Sequence, residues 1–273
     1  MRVGRIPYIN CYPVYGAIDR GVVPMPAELV SATAADLNNL LAAGELDVSV
    51  VSAVEYARHA PQYHLLPGLA ITSDGPVHSV MLFARVPPTE LGDRAVLRTT
   101  SSHTSVLLLE LLCRHRWGVS PRFASVRAEP TDLAALEAFP HDAVLVIGDA
   151  ALLLAAQKKY PYAVDLGAAW KDWTGLPFVF AVWAARRSSD PGAVRAVHHR
   201  LLEGRAWGLA HLDELAHDAA QATGVDQAVC RDYLGTLDYA LGARHLEGLT
   251  MFFRRLAQDG AVPDRSLSFI TAA

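Results

Sequence analysis

Residues 28–51 read ELVSATAADLNNLLAAGELDVSVV, and their pattern predicts a strand, a helix and a second strand. Thr33 can cap the helix because its hydroxyl accepts from an unpaired backbone N–H, and Asp36 places a negative charge in the first turn. Gly44 is suited to end the helix, before a valine-rich buried strand at 47–51. A strand, a helix and a strand joined by short connections predict a parallel sheet covered by helices.

The rest of the chain extends this α/β pattern into two lobes. A strand at 79–85 is followed by a prolyl pair, a new α/β series fills the middle of the chain, and a strand at 178–185 precedes a helical C-terminal part. We therefore expect lobe 1 to comprise residues 1–85 and 184–273, with lobe 2 inserted as residues 86–183. The two strands would form two hinge crossings, the C-terminal helices would pack on lobe 1, and a ligand would bind between the lobes.

Composition excludes several classes of function. The 273 residues carry 24 basic and 28 acidic side chains and no long basic run, so we do not expect nucleic acid as a partner. The longest apolar run, 178–185, is too short to cross a membrane. Three distant cysteines and scattered histidines predict no metal site. The N-terminus lacks the apolar segment of a signal peptide, so we expect a cytoplasmic protein.

A hydroxyl-rich loop gives the strongest local signal. The segment Thr99-Thr-Ser-Ser-His-Thr-Ser105 has six hydroxyl residues in seven positions and opens a predicted helix. A helix N-terminus binds anions through unpaired N–H groups and its dipole. The alternative is an ordinary N-cap, which needs only one hydroxyl. We expect an anion site whose candidate residues are Ser101, Ser102, Thr104 and Ser105.

Loops after two predicted strands of lobe 1 supply further candidates. Arg5 is placed to pair with a carboxylate, and Tyr8 and Asn10 to contact a ligand, although Asn10 alternatively only satisfies backbone groups in a turn. Ser52 follows the valine-rich strand and is expected to cap a helix or face the ligand.

The second set of candidates lies near the predicted crossings and in lobe 2. Ser79 starts the first crossing, and Thr174 precedes the second. Gly148-Asp149 ends an apolar strand, where Asp149 is either an N-cap or a base facing the cleft. The chain has no phosphate-binding loop, dinucleotide-binding fingerprint or nucleophile elbow, so no cofactor is expected.

Five segments in the same order carry a resemblance to a known family. They are Gly4-Arg-Ile-Pro-Tyr-Ile-Asn10, Glu45-Leu-Asp-Val48, Ser73-Asp-Gly-Pro-Val77, Ile147-Gly-Asp149 and Trp173-Thr-Gly-Leu-Pro-Phe-Val-Phe180. Together they resemble the menaquinone-biosynthesis family of the futalosine route, over residues 3–258. The resemblance implies a type II periplasmic-binding-protein fold and removal of water from chorismate to give 3-[(1-carboxyvinyl)oxy]benzoate. Gly148-Asp149 stands where a sister enzyme, 1,4-dihydroxy-6-naphthoate synthase, typically has a catalytic His, which favours the dehydration.

The implied substrate is a dianion, so the resemblance also assigns roles. The Ser/Thr helix start would hold one carboxylate, while Asn10, Ser52 or Ser79 would orient the other end. The catalytic candidates are Asn10, Ser79 and Asp149. Three proton acceptors stay open: Asp149, Asp74 and the substrate's own enolpyruvyl carboxylate, which we favour. The alternative function is a solute-binding protein for a small carboxylate, since the fold is used mostly for capture.

Overall fold

The computed structural model describes residues 1–99, 102–126 and 139–270. The chain forms two compact units. Unit 1 comprises residues 1–72 and those from 179 onward, and unit 2 comprises residues 73–178. Each has its own five-stranded sheet covered by helices. The fold class is therefore α/β, as the sequence predicted.

The sheet of unit 1 contains the strand–helix–strand motif predicted at residues 28–51. Its strand order is β2-β1-β3-β10-β4, with β1 parallel to both β2 and β3, and β10 antiparallel to β3. The strands are β1 (Arg2–Arg5), β2 (Glu28–Ser31), β3 (Val48–Ser52), β4 (Tyr63–Ser73) and β10 (Phe178–Arg186). β3 and most of β10 are buried throughout, which explains their continuous apolar sequences.

Side-chain caps and left-handed glycines bound several helices of unit 1. The helices are α1 (Tyr12–Asp19), α2 (Ala34–Ala43), α3 (Ala53–His59), α7 (Pro191–Ala210), α8 (Leu212–Thr223), α9 (Gln227–Thr236) and α10 (Ala243–Gln258). Thr33 Oγ1 accepts from Asp36 N at 3.2 Å at the start of α2, and Gly44 ends this helix in the left-handed conformation at φ 84°. The predicted helical C-terminal part is also confirmed, with Asp190 capping α7.

A buried hydrogen-bond chain ties the first strand of unit 1 to its last. Trp183 Nε1 donates to Tyr15 Oη at 3.0 Å, and Tyr15 Oη donates to the Gly4 carbonyl at 3.2 Å. Trp183 is fully buried and Tyr15 is 2% exposed. Burial raises the pKa of Tyr15, so its hydroxyl stays protonated and can act as donor and acceptor together.

The sheet of unit 2 has the order β7-β6-β8-β5-β9. Its strands are β5 (Val80–Ala84), β6 (Ala95–Thr99), β7 (Arg122–Val126), β8 (Ala143–Ile147) and β9 (Tyr162–Asp165). β6 is parallel to β7 and β8, whereas β5 is antiparallel to β8 and β9. The helices are α4 (His103–Leu111), which continues as a π-helical segment to Trp117, α5 (Asp149–Gln157) and α6 (Leu166–Thr174). The sequence also predicts a helix at 131–138, and these residues lie outside the described ranges.

The boundaries between the units differ from the predicted ones. The structure divides the chain after Thr72 and after Phe178, whereas the sequence placed the boundaries after 85 and after 183. The first boundary differs because β5 pairs with β8 from Val80–Ile147 to Ala84–Ala143, inside the sheet of unit 2. Such pairing depends on a strand about sixty residues later, so the prolyl pair after β5 marks a turn within unit 2.

Candidate functional site

The first candidate loop of unit 1 follows β1. Asn10 lies in a short 3-10 turn at Ile9–Cys11, in which Cys11 N donates to the Tyr8 carbonyl at 3.0 Å. The Asn10 Oδ1 atom is buried and has no hydrogen-bond partner in the described part of the chain. A buried acceptor without a partner costs stability, and in the loop after β1 this oxygen can receive a donor from a ligand.

Two other predicted residues of unit 1 have structural partners. The Arg5 guanidinium donates to Ser31 Oγ at 2.7 Å and pairs with Asp19. Ser52 Oγ accepts from Glu55 N at 3.2 Å and thus caps α3, as predicted, while the residue is only 6% exposed. These contacts account for the residues locally, and a ligand would have to share them.

In unit 2, strand pairing brings two distant candidates together. Gly148 N donates to the Ser79 carbonyl at 2.7 Å, at the end of β8 where Val80 pairs with Ile147. Gly148 has φ 65° and ψ −149°, a backbone conformation essentially restricted to glycine. Asp149 follows as the first residue of α5, where the helix dipole favours its charged form. Ser79 and Asp149 therefore lie at one end of this sheet.

The start of α4, with Ser102, lies at the same end of the sheet, because it follows β6, which is parallel to β8 and adjacent to it. Ser102 caps α4: its Oγ accepts from Ser105 N at 3.3 Å and lies 3.0 Å from Ser105 Oγ. Thr104 and Ser105 are 1% and 3% exposed. Ser101 lies outside the described residues. The described hydroxyls are consistent with an N-cap and leave the anion site a hypothesis.

Two more candidates are held by contacts within unit 2. Asp74, one of the possible bases, is paired with Lys171. Thr174 Oγ1 donates to the Trp170 carbonyl at 2.9 Å and accepts from Leu176 N at 3.2 Å, which closes the end of α6. These contacts give both residues a structural role within unit 2.

Asp165 is a residue that the sequence analysis did not single out. One carboxylate oxygen accepts from Val77 N at 2.9 Å and from His78 N at 2.7 Å, and the other accepts from Ala168 N at 3.0 Å. It therefore caps α6 and fixes the segment just before Ser79. The cap was visible in the sequence, but the contact with residues some 88 positions earlier was not.

Tyr239 of unit 1 was also missed. The ring is 1% exposed, and its hydroxyl has no hydrogen-bond partner among the described residues. Burial raises its pKa well above the ordinary value, with Tyr233 and Cys11 as further causes. Cys11 follows Asn10 directly in the turn at Ile9–Cys11. No local sequence signal marks Tyr239.

The described residues show no arrangement suited to metal binding or to thiol chemistry. No group of three or more His, Cys, Asp or Glu side chains in residues 1–99, 102–126 and 139–270 could hold a metal ion. The cysteines are free and buried, and burial together with the Glu110 carboxylate raises the pKa of Cys113 to about 12. None of the described helices is long and apolar enough to span a membrane.

Comparison with known proteins gives the family. A family model described as menaquinone biosynthesis matches residues 1–258. The chain is 36% identical to a chorismate dehydratase of Thermus thermophilus over 243 residues, covering 84% of this chain and 86% of the relative. It is 27% identical to a 1,4-dihydroxy-6-naphtoate synthase of the same species over 224 residues, covering 78% and 76% of the two chains.

A solved structure supports the fold independently. The chain superposes on a Candida albicans protein described as having the generic periplasmic binding protein structural fold, with a TM-score of 0.70 and 12% identity. The match covers 97% of this chain and 92% of that one. The expected periplasmic-binding-protein fold is therefore confirmed, and the chain belongs to the menaquinone-biosynthesis family.

Proposed function

We propose that this protein is a chorismate dehydratase, a hydro-lyase of menaquinone biosynthesis through futalosine. The observation that carries the proposal is the 36% identity to a chorismate dehydratase over 84% of the chain. The reaction removes the proton from the ring carbon that bears the ether and releases the neighbouring hydroxyl as water. The products are 3-[(1-carboxyvinyl)oxy]benzoate and one water molecule. We place the enzyme in the cytoplasm.

Asn10 is the residue we assign first to the substrate. Its side-chain amide can accept from a hydroxyl and donate to a carboxylate, and its buried Oδ1 has no partner in the described residues. The leaving hydroxyl of chorismate is a donor of the required kind. Asn10 would thus orient the hydroxyl that leaves, and positioning of this kind lowers the barrier by removing the entropic cost of alignment.

The hydroxyls at the start of α4 are assigned to a substrate carboxylate. Ser102, Thr104 and Ser105 lie at a helix N-terminus, where unpaired N–H groups and the helix dipole favour an anion. Replacing all three by alanine should weaken binding of chorismate with little change in the turnover number. Unaltered affinity in a folded triple variant would remove these residues from the site.

In our proposal the substrate's own enolpyruvyl carboxylate accepts the ring proton and passes it to the departing hydroxyl, which leaves as water. Asp74 is engaged by Lys171, whereas Asp149, at the start of α5, stays the rival base. Aromatisation drives the elimination, so an intramolecular base of modest strength suffices once it is aligned. An Asp149→Asn variant that folds and binds chorismate but loses about 10³-fold or more in turnover would assign the base to Asp149.

One experiment separates this function from its alternatives. Purified protein is incubated with chorismate without added metal or cofactor, and the products are followed by mass spectrometry against a blank without protein. A dehydratase forms a species lighter by one water. Binding of chorismate with no new species would support a solute-binding protein for small carboxylates. Absence of both binding and conversion would direct attention to the naphthoate synthase reaction of the second relative.

A further inference from the structure

Unit 2 contains a cavity of about 400 Å³ that has no part in the proposed reaction. We call it the Arg85 cavity; its lining residues are Arg85, Phe139, Pro140, His141, Lys159 and Tyr160. Three of these six side chains are basic and two are aromatic, and none is acidic. This composition is unusual in a chain whose formal net charge is −4.

The Arg85 cavity lies at the end of the sheet opposite to Ser79 and Gly148. β5 and β8 are antiparallel, and Arg85 N donates to the Asp142 carbonyl at 2.8 Å at one end of the pair. The Gly148–Ser79 hydrogen bond closes the other end. The five residues of β8 at ~3.3 Å each separate the two ends by about 16 Å. A ligand in the cavity would therefore not occupy the proposed catalytic position.

The aromatic walls of the cavity are fixed in place. The Arg85 guanidinium lies 5.6 Å from the centroid of the Tyr160 ring, and Arg85 Nε donates to the His141 carbonyl at 3.3 Å. The Tyr160 ring also packs against Phe83, 5.8 Å away between centroids. Phe139 is 47% exposed, which is high for such a large apolar side chain. A flat ligand would cover this surface.

Two hydrogen bonds hold the His141 ring in place. His141 Nδ1 lies 2.7 Å from the Phe139 carbonyl, which can only accept, so Nδ1 carries a proton. Nε2 lies 2.7 Å from Tyr160 Oη. His141 thus shapes the cavity, and the Arg85 and Lys159 side chains bring positive charge to it. A guanidinium presents several donors in one plane, which suits a carboxylate.

We infer that the Arg85 cavity is a second ligand site, for small planar carboxylates such as substituted benzoates. The carboxylate would bind to Arg85 and Lys159, and the ring would lie against Phe139 and Tyr160. The inference rests on the side chains of unit 2 alone and holds whether or not the protein dehydrates chorismate.

The test is calorimetric titration with 3-fluorobenzoate, with 3-fluorobenzamide as the uncharged analogue. We expect a binding component with a dissociation constant of about 1 mM or tighter. Arg85→Gln and Lys159→Gln should each weaken this component about tenfold. Lys158→Gln is the matched control, because Lys158 is the adjacent exposed lysine and does not line the cavity.

Two further measurements separate this site from the proposed catalytic one. Asn10→Ala should retain the Arg85-dependent component, and Arg85→Gln should leave the turnover of chorismate unchanged. Equal affinities in the Lys158 and Lys159 variants, equal binding of the amide, or the lack of any Arg85-dependent component would overturn the inference.

Discussion

Asn10→Ala should separate activity from stability in this protein. The side chain carries a buried oxygen without a partner among the described residues, so the folded chain gains little from it. Since we assign the Asn10 amide to the substrate, its removal should affect catalysis more than folding.

The expected magnitudes follow from the two roles of the amide. Loss of the hydrogen bond that positions the reacting hydroxyl costs about 10²-fold in rate. Removal of an unsatisfied buried acceptor returns part of a desolvation penalty of about 1–3 kcal/mol, which offsets the lost packing of the side chain. We therefore expect kcat/KM to fall about 10²-fold or more while the free energy of unfolding changes by less than about 1 kcal/mol.

Asn38→Ala is the matched control. Asn38 is 5% exposed, lies in α2 of the same unit, and also has a buried Oδ1 without a described partner. The assay measures product formation from chorismate and urea unfolding on the same preparations of both variants and the wild type. Only Asn10→Ala should lose activity. Equal losses of activity in the two variants, or kcat/KM within threefold of wild type for Asn10→Ala, would refute the reasoning.

Three further predictions concern stability. Gly148→Ala should destabilise unit 2 by about 1–3 kcal/mol, because its φ of 65° and ψ of −149° suit glycine alone; urea unfolding followed by tryptophan fluorescence measures this. Tyr15→Phe leaves the buried Trp183 indole N–H and the Gly4 carbonyl without their partner, and it should lower the free energy of unfolding by about 2–4 kcal/mol. Tyr239→Phe should lower it by less than about 1 kcal/mol. The hydrogen bond to His245 lowers the pKa of Asp238, so Asp238→Asn should reduce thermal stability at pH 7, and this difference should begin to shrink as the pH falls below about 4 and vanish below the lowered pKa.

Each of these predictions has a contradicting result. A Gly148→Ala protein as stable as wild type would show that the backbone conformation carries no strain. Equal losses in the two tyrosine variants would show that both hydroxyls are satisfied. A wild-type advantage over Asp238→Asn that grows as the pH falls would reverse the sign of the linkage, since a depressed carboxyl pKa stabilises only above that pKa.

Most of what the sequence could predict of the fold followed from local signals. The caps at Thr33 and Ser52 and the stop at Gly44 depend on neighbours within four residues, and the structure confirms all three. The boundary after Thr72 was not predicted, because β5 joins its sheet through pairing with β8, about sixty residues later.

Like the fold, the candidate site could be predicted from the sequence only in part. The loop after the first predicted strand pointed to Asn10, and the start of the first predicted crossing pointed to Ser79. Partners brought from distant segments were not predictable: Asp19 pairs with Arg5, Lys171 with Asp74, and Asp165 fixes the backbone before Ser79. In the sequence alone, a hydroxyl or a guanidinium looks available for a ligand. Only the tertiary structure shows that it is already bound to another residue.

The central claim is dehydration of chorismate, and proton NMR of the reaction tests it most directly. The protein is mixed with chorismate, and the ring and methylene signals are followed in time against a blank. We predict loss of the ring diene signals, growth of four aromatic protons of a 1,3-disubstituted benzene, and retention of both enolpyruvyl methylene protons. Chorismate signals that decay no faster than in the blank, in the presence of folded protein, would contradict the account.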